Sequence, residues 1–435
     1  MGKTLTFRRG VHPREAAGGK HETGAKPIEN AAAPSIVAVP LLQHAGAPAK
    51  PMVKPGTPVL MGQKIAAADG YVSAAVHSPV SGIVKSIQTR IAAGGRRVDA
   101  VIIENNALDE WDTSLLPVRD PDDPAQLLAA IREAGVVGMG GATFPTHVKL
   151  SPPREKPIDT LILNGAECEP YLSADHRVML EETEAVVDGL RIAAKITGAK
   201  RLCIGVEENK PDAIEALRRA VGGDAEVCVL RVKYPQGGEK QLIQTLTGRR
   251  VPSGGLPMDV GCVVLNVSTA AAISRAVREG RPVIDRVVTV AGAVREPKNL
   301  HVRIGVDIDS VIEQCGGADA QVNKIVLGGP MMGQCAYNPN TPVTKGVSGV
   351  LLLADHERER PLANCVRCGG CVSVCPIGLM PLMLYAFARK GFYERARDEQ
   401  HLLDCIECGS CAYQCPSRLP LVQQIRAAKS ALRRA

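Results

Sequence analysis

Short apolar runs separated by turn residues dominate the first quarter of the chain. Residues 30–105 are rich in Val, Ala, Gly and Pro, and Ser35–Leu42 is the longest apolar run among them. Gly and Pro end each run after a few residues, a pattern typical of short strands in a small β domain. We therefore predict a β domain over residues 31–110, preceded by an N-terminal extension over residues 1–30.

Longer segments with helical spacing alternate with apolar runs between residues 122 and 285. The helical segments are Pro124–Ala134, Ala185–Thr197 and Ala213–Val221. The strand-like runs are Asp159–Leu163, Leu202–Val206 and Cys262–Val267. This alternation predicts an α/β domain around a mostly parallel sheet, which we place at residues 111–286.

The pattern becomes strand-rich again after residue 286. The strand-like runs are Val287–Ala291, His301–Ile304, Lys324–Leu327 and Val347–Ala354. One helix is predicted among them, at Asp309–Cys315. Residues 287–350 are therefore predicted to form a small α+β module.

Helical stretches and cysteine motifs alternate in the C-terminal region. Pro381–His401 predicts one helix between two motifs, and residues 355–418 are predicted to form a helical domain around them. Residues 419–435 predict an amphipathic basic helix that begins at Leu419. Its basic residues either form the solvated face of a packed helix or attract the helix weakly to anionic lipid. They are Arg426, Lys429, Arg433 and Arg434.

Length and composition narrow the function classes. A chain of 435 residues predicts two to four domains, and its net charge of +7 is modest for that length. One Trp and four Phe leave little aromatic surface for stacking nucleic acid bases. The N-terminus lacks the apolar stretch of a secretory signal, and no run approaches the roughly 18 apolar residues of a membrane span. The fourteen cysteines are therefore expected to be reduced thiols, some of them metal ligands.

Eight cysteines lie in two copies of one motif, C-V-R-C-G-G-C-V-S-V-C-P and C-I-E-C-G-S-C-A-Y-Q-C-P. Both match C-x2-C-x2-C-x3-C-P, in which the fourth cysteine serves the other of two four-iron, four-sulfur clusters. This crossing assigns cluster one to Cys365, Cys368, Cys371 and Cys415. It assigns cluster two to Cys405, Cys408, Cys411 and Cys375. Two zinc sites would need the same number of ligands, but four cysteines per motif followed by Pro favour iron–sulfur clusters.

A glycine-rich loop, Gly138–Thr146, follows a predicted helix and precedes Lys149. Clustered glycines let backbone N–H groups approach a phosphate, and a nearby lysine adds positive charge. The loop is not the G-x-G-x-x-G fingerprint, and a plain tight turn explains it equally well. The predicted clusters favour a flavin site here. Clusters carry single electrons, and a two-electron donor such as a nicotinamide needs a flavin to divide the pair.

Four segments together resemble the C subunit family of Rnf complexes. They are Gly138–Leu150 (GMGGATFPTHVKL), Asn164–Tyr171 (NGAECEPY), Lys233–Glu239 (KYPQGGE) and Asn266–Ala270 (NVSTA). The resemblance covers almost the whole chain. It implies a peripheral subunit of a membrane complex that couples electron transfer between NADH and ferredoxin to ion translocation. Its expected place is the cytoplasmic face of the plasma membrane, beside the other subunits, with no role for nucleic acid.

That family is similar in turn to the flavin-bearing, NADH-oxidising subunit of respiratory complex I. Matched by position, this second resemblance implies a noncovalent FMN site with NADH stacked against it. Two positions depart from the complex I pattern, since Ala166 replaces an Asp and Pro152 replaces an aromatic residue that would stack on adenine. Glu167, Glu169 and Glu239 could alternatively be solvated loop carboxylates. The cofactor-binding residues implied are Gly138, Gly140, Gly141, Phe144, Lys149, Asn164, Glu167, Glu169, Tyr234, Gly238, Glu239, Asn266 and Thr269.

The resemblances also imply the nature of each domain. Val53–Ile87 resembles a biotinyl or lipoyl barrel-sandwich domain, yet residues 66–78 contain no Lys to carry a swinging arm, so docking is its expected role. Residues 287–345 resemble a β-grasp module of the kind that binds soluble ligands. The fold expected is thus multidomain α/β plus α+β, with barrel-sandwich, Rossmann-like flavin, β-grasp and helical two-cluster ferredoxin domains.

Two rival functions stay open on the sequence. One is a soluble flavin and iron–sulfur reductase of the cobalamin-reductase type, and the other is an electron carrier without flavin, whose glycine loop is only a turn. The six remaining cysteines lie in apolar contexts and are expected to pack in the core, with Cys168 the one to watch because it lies in a flavin-loop segment. They are Cys168, Cys203, Cys228, Cys262, Cys315 and Cys335.

Overall fold

A computed structural model of the protein describes residues 4–13, 19–319, 322–354 and 362–434. Parts of the predicted N-terminal extension, and the start of the predicted ferredoxin domain at residues 355–361, lie outside the described residues. So do the side chain of Arg434 and all of Ala435. The predicted class, multidomain α/β plus α+β, is confirmed.

The elements described before residue 110 include two small antiparallel sheets. The elements are α1 (His21–Gly24), β1 (Ile28–Asn30), β2 (Ile36–Pro40), β3 (Lys50–Pro51), β4 (Pro58–Val59), β5 (Lys64–Ala67), β6 (Val76–His77), β7 (Gly82–Ile91) and β8 (Arg97–Asn105). One sheet has the order β2-β8-β7-β4, and the other has the order β3-β5-β6. The first strand, β1, leaves this domain and pairs with the β-grasp module.

The next domain is a parallel four-stranded sheet with helices on both faces. The elements are α2 (Pro124–Glu133), α3 (Thr146–Lys149), β9 (Thr160–Gly165), α4 (Ala174–Glu181), α5 (Thr183–Thr197), β10 (Arg201–Glu207), α6 (Pro211–Val221), β11 (Glu226–Leu230), α7 (Glu239–Thr247), β12 (Cys262–Asn266) and α8 (Val267–Glu279). The strand order is β11-β10-β9-β12. One face packs against α7, and the other packs against α5, α6 and α8. The sequence patterns did not single out β11, which is only five residues long.

A mixed sheet forms the third unit, with one helix beside it. The elements are β13 (Asp285–Gly292), β14 (Lys298–Arg303), α9 (Ile308–Glu313), β15 (Lys324–Leu327), β16 (Gln334–Cys335) and β17 (Gly349–Leu353). The strand order is β1-β14-β13-β17-β15-β16, so the N-terminal extension supplies one edge of this sheet.

The C-terminal unit is helical, as predicted. The elements are α10 (Gly370–Ser373), α11 (Pro381–Arg389), α12 (Tyr393–Gln400), α13 (Ser410–Tyr413) and α14 (Leu421–Arg434). The single helix predicted at Pro381–His401 is wrong, because Gly391 adopts a φ of 72° and divides it in two. The terminal helix begins at Leu421 rather than Leu419. Within the described residues, no helix combines the length and hydropathy of a membrane span.

The N-terminal segment, residues 4–13, crosses from the parallel sheet to the helical unit. Leu5 extends the sheet beside β11, where its backbone bonds Val229 and Arg231 at 2.9 Å each. Further along, the Gly10 N–H donates to the Val374 carbonyl at 3.1 Å. A Cβ at position 10 would lie 2.5 Å from the Tyr234 carbonyl oxygen, so this crossing requires glycine.

Two buried cations join the first three units. Lys345 Nζ donates to the Gly135 carbonyl at 2.7 Å and to the Ala75 carbonyl at 3.0 Å. Arg286 Nη1 donates to the Met139 carbonyl at 3.2 Å and also to the Lys345 carbonyl. Burial lowers the pKa of Lys345 to about 7, because an ammonium group loses hydration that carbonyls replace only in part.

This depressed pKa predicts a pH-dependent stability that Lys345→Met should abolish. The unfolded chain binds the proton up to its ordinary pKa of 10.5. The folded protein therefore gains stability as pH rises from about 7, by up to about 2 kcal/mol at pH 9. Between pH 7 and pH 9, the unfolding midpoint of the wild type should rise relative to that of the variant. Lys85→Met, at an exposed ion pair with Glu104, is the control. Parallel pH profiles for wild type and Lys345→Met would contradict this.

Candidate cofactor sites

Several of the predicted flavin residues lie together at the carboxyl edge of the parallel sheet. Asn164 and Asn266 stand at the carboxyl ends of neighbouring strands β9 and β12. The glycine loop approaches the same edge, since a Cβ at Gly140 would lie 3.3 Å from Asn266 Cβ. In open α/β sheets this edge is where ligands bind.

The glycine loop is a tight turn with an open crest. The Gly138 N–H donates to the Phe144 carbonyl at 2.9 Å, and the Thr143 N–H donates to the Gly138 carbonyl at 3.1 Å. Gly141 has a φ of 108°, and a Cβ there would meet nothing within 4 Å. Phe144 is 37% exposed. The crest therefore offers free space for a ligand to approach the backbone.

Thr269 and Asn266 hold this loop from below. Thr269 is fully buried, and its Oγ1 accepts the Met139 N–H at 2.8 Å. Asn266 Oδ1 caps α8 by accepting the N–H groups of Ser268 at 2.9 Å and Thr269 at 3.3 Å. Both side chains thus position the loop and the helix.

Lys149 and Glu239 form an accessible ion pair at the start of α7. Lys149 Nζ and Glu239 Oε1 are 2.6 Å apart, and the side chains are 29% and 40% exposed. Gly238 is the residue that precedes α7. A phosphate could replace the carboxylate as the partner of this lysine, since both are anions that accept from an ammonium group.

Asn164 connects two of the predicted loops by hydrogen bonds. Its Nδ2 donates to the Gly237 carbonyl at 2.9 Å, and its Oδ1 accepts the Ala166 N–H at 3.2 Å. The Gly237 N–H also donates to Cys168 Sγ at 3.3 Å. Burial raises the pKa of this thiol, which makes it a packing and hydrogen-bonding group.

Glu167 is turned inward and not toward solvent. Its side chain is 4% exposed, and its carboxylate accepts the N–H groups of Asp175 at 2.7 Å and His176 at 3.3 Å. Burial raises its pKa to about 7. The alternative interpretation as a solvated loop carboxylate is therefore wrong for Glu167.

Glu169 and Tyr234 face other domains. The Glu169 carboxylate accepts the N–H groups of Met331 at 3.0 Å and Met332 at 2.9 Å in the β-grasp module. Burial raises its pKa to about 7. Tyr234 is 1% exposed, and its Oη donates to the Cys408 carbonyl in the helical unit at 2.6 Å.

Several polar residues of this region were not identified from the sequence. Asp175 accepts from Asn266 Nδ2 and Ser268 Oγ, both at 2.6 Å, and so orients the asparagine. Buried Lys210 donates to the Ala166 carbonyl at 2.8 Å. Lys20, from the N-terminal extension, donates to the Glu167 carbonyl at 2.6 Å. Each is a single polar residue with no motif around it, so the sequence carried no signal for it.

The eight motif cysteines line two separate cavities, each enclosing about 360 Å³ of space partly open to solvent. Each cavity combines three cysteines of one motif with the fourth of the other motif, as the crossing pattern predicts. Four thiols around one space match the donor set of a four-iron, four-sulfur cluster. The first cavity, the cluster-one site, is lined by Cys365, Cys368, Cys371 and Cys415. The second, the cluster-two site, is lined by Cys375, Cys405, Cys408 and Cys411.

The two sites differ in exposure. In the cluster-one site Cys365 and Cys368 are exposed. In the cluster-two site Cys375, Cys408 and Cys411 are at most 8% exposed. The cluster-two site is also the one that Tyr234 contacts, so it lies nearer to the flavin domain.

Of the remaining cysteines, four are buried as expected for core packing: Cys203, Cys228, Cys262 and Cys315. The same prediction is wrong for Cys335, which is exposed because β16 is a two-residue edge strand with both side chains in solvent.

Four family profiles match successive parts of the chain. The RnfC barrel sandwich hybrid domain matches residues 5–107, and the Nuo51 FMN-binding domain matches residues 131–275. An SLBB domain matches residues 287–334, and a 4Fe-4S dicluster domain matches residues 364–419.

Full-length relatives are similar to the chain throughout. The C subunit of the proton-translocating ferredoxin:NAD(+) oxidoreductase complex of Clostridium ljungdahlii is 48% identical, over 99% of this chain and 94% of the relative. The C subunit of the Na(+)-translocating ferredoxin:NAD(+) oxidoreductase complex of Acetobacterium woodii is 46% identical, over 90% and 89%. Among solved structures, an NAD+-reducing NiFe hydrogenase in the air-oxidized state shares the fold. It has a TM-score of 0.51 and 20% identity, over 72% of this chain and 67% of that one.

The crossing pattern predicts which cluster each fourth cysteine affects. Cys375→Ser should alter the paramagnetic resonance of the cluster held by Cys405, Cys408 and Cys411, because Cys375 lines that cavity. The matched variant, Cys415→Ser, should alter the other cluster. Spectra of the reduced variants test this, and damage to the opposite cluster in each would refute the crossing.

Proposed function

The chain belongs to the family of C subunits of ion-translocating ferredoxin:NAD(+) oxidoreductase complexes, and we propose that it carries electrons between NAD(H) and the other subunits of such a complex. It does so with one FMN and two four-iron, four-sulfur clusters. The single observation that carries this is the contact from the flavin-domain loop to the cluster-two site, Tyr234 Oη to the Cys408 carbonyl at 2.6 Å.

The flavin site is proposed at the glycine loop. FMN, when bound, exchanges two electrons with a nicotinamide and one with a cluster, which is the conversion the reaction needs. The open crest at Gly141 gives the phosphate access to backbone N–H groups, and Lys149 supplies positive charge. Asn164, Asn266 and Thr269 keep the loops around it in place. Glu167 and Glu169 secure the surrounding structure through their backbone bonds.

Cys375, Cys405, Cys408 and Cys411 would hold the cluster that faces the flavin domain, and Cys365, Cys368, Cys371 and Cys415 would hold the cluster that faces outward. The cluster-two site is buried and touches the flavin domain, so it is placed to exchange electrons with FMN. The cluster-one site has exposed cysteines, so a partner protein of the complex can approach it closely.

The compartment proposed is the cytoplasmic face of the membrane that holds the partner subunits. NAD(H) is the expected electron partner, and every cysteine that the structure describes is free of disulfides. Free thiols in such numbers are typical of a reducing compartment.

The test is the cofactor content and activity of the anaerobically purified chain. We expect about eight irons and eight acid-labile sulfides, together with one FMN released on denaturation. NADH should reduce an artificial acceptor through this protein. Zinc in place of iron would refute the clusters, and a protein with clusters but no flavin would establish the flavin-free carrier. Full activity with a free corrin acceptor but none with partner subunits would favour the soluble reductase.

Lys149→Ala should weaken FMN binding. A charge-assisted hydrogen bond to phosphate contributes about 1.5–3 kcal/mol, so the dissociation constant should rise by roughly 10- to 150-fold. Lys240→Ala is the matched control, because this neighbouring lysine on α7 bonds the Pro252 carbonyl. Flavin fluorescence on titration of the apoprotein gives both constants. Equal affinities in the two variants would contradict the role of Lys149.

A further inference from the structure

Three side chains from three separate parts of the chain donate to main-chain carbonyls of the cluster-two cysteines. Tyr234 Oη, in the flavin domain, donates to Cys408 at 2.6 Å. Lys429 Nζ, on α14, donates to Cys405 at 2.6 Å. Arg9 Nη1, in the N-terminal segment, donates to Cys375 at 3.4 Å. We propose that these three donors set the reduction potential of cluster two and hold it at a more positive value than the site would otherwise have.

The same three cysteines also receive a donor at sulfur or lie beside one. The Leu379 N–H donates to Cys375 Sγ at 3.3 Å. The Glu407 N–H donates to Cys405 Sγ at 3.4 Å. The Cys408 and Ser410 side chains are 3.4 Å apart. A donor from outside the loop restrains the peptide group whose carbonyl it binds. It therefore also restrains the loop, whose N–H and O–H groups point toward the thiolates. Such outer contacts tune the potential of a cluster.

The sign of the effect follows from charge. Reduction adds one negative charge to the cluster, so nearby hydrogen-bond donors and cations favour the reduced form. Lys429 is 9% exposed and Tyr234 is 1% exposed, so water screens their effect only weakly. Glu407 opposes them in part, because it pairs with Lys429 at 2.9 Å and with Arg426 at 3.0 Å. Asp404, next to Cys405, adds a second carboxylate, so the sign rests on the donors' contacts with the cysteine carbonyls and not on a net charge.

The origin of the donors gives this arrangement a consequence for the relay. Tyr234 belongs to the flavin domain, and Arg9 belongs to a segment that extends the flavin-domain sheet. Two of the three donors therefore reach cluster two only when the flavin domain is docked on the helical unit. The potential of cluster two is thus adjusted at the interface that electrons cross.

The test is a potentiometric titration of the whole protein followed by paramagnetic resonance, and it rests on the proposed function. The cluster-two signal is the one that changes in Cys375→Ser, and cluster one serves as the internal reference. Loss of one hydrogen bond changes an equilibrium by roughly two- to tenfold. Tyr234→Phe and Lys429→Met should therefore move the cluster-two potential in the negative direction, by up to about 59 mV for a one-electron couple. Lys390→Met, at an exposed lysine on the same unit, is the control for charge.

A negative shift of cluster two alone in both variants, with Lys390→Met unchanged, supports the proposal. An unmoved cluster-two potential in both variants, or an equal shift of both clusters, overturns it. The iron count separates this failure from failure of the proposed function, because a wild-type protein with fewer than eight irons lacks at least one of the two clusters. If Tyr234→Phe loses iron, the test uses Lys429→Met and Arg9→Met instead. Arg8→Met, at the exposed neighbouring arginine, is then the control for Arg9→Met.

Discussion

A lysine buried without a carboxylate determines how three parts of this protein meet. Lys345 Nζ has carbonyl partners in the barrel-sandwich domain and in the flavin domain, and no carboxylate of the described residues pairs with it. Without these acceptors its buried N–H groups would be unsatisfied, which costs free energy whether the group is charged or neutral. The domains are therefore held in the one arrangement that supplies both carbonyls. Arg286 extends the contact to the Met139 carbonyl, so the position of the glycine loop depends on the same packing.

Residues near the candidate flavin divide into those that position the loops and those left accessible. Thr269 and Glu167 accept hydrogen bonds from backbone N–H groups, and Asn266 bonds the start of α8 and the side chain of Asp175. Lys149 and Gly141 remain open to a ligand. This division explains why polar side chains occur at a buried edge at all. Backbone groups of four converging loops need partners there, and side chains from neighbouring loops supply them.

The sequence was most informative where chemistry demands fixed spacing. The two cysteine motifs predicted both sets of four, because a cluster imposes its geometry on consecutive residues, and the α/β alternation predicted the parallel sheet. Long-range partners had no such signal. Nothing in the sequence connects Tyr234 with Cys408, 174 residues away, and Arg286 and Lys345 are single basic residues outside any motif. The break at Gly391 was missed because one glycine inside a helical pattern is often tolerated.

The N-terminal segment has a consequence for biosynthesis. Arg9 leaves the ribosome well before its acceptor, the Cys375 carbonyl, which follows 366 residues later. At about 5–20 residues per second this interval is roughly 20–70 s. During that time the segment can pair only with the flavin domain, through Leu5 and Val11, because its partners in the helical unit do not yet exist. Attachment of the segment to the helical unit therefore follows translation of the first cysteine motif and marks a chain whose redox domains have been joined.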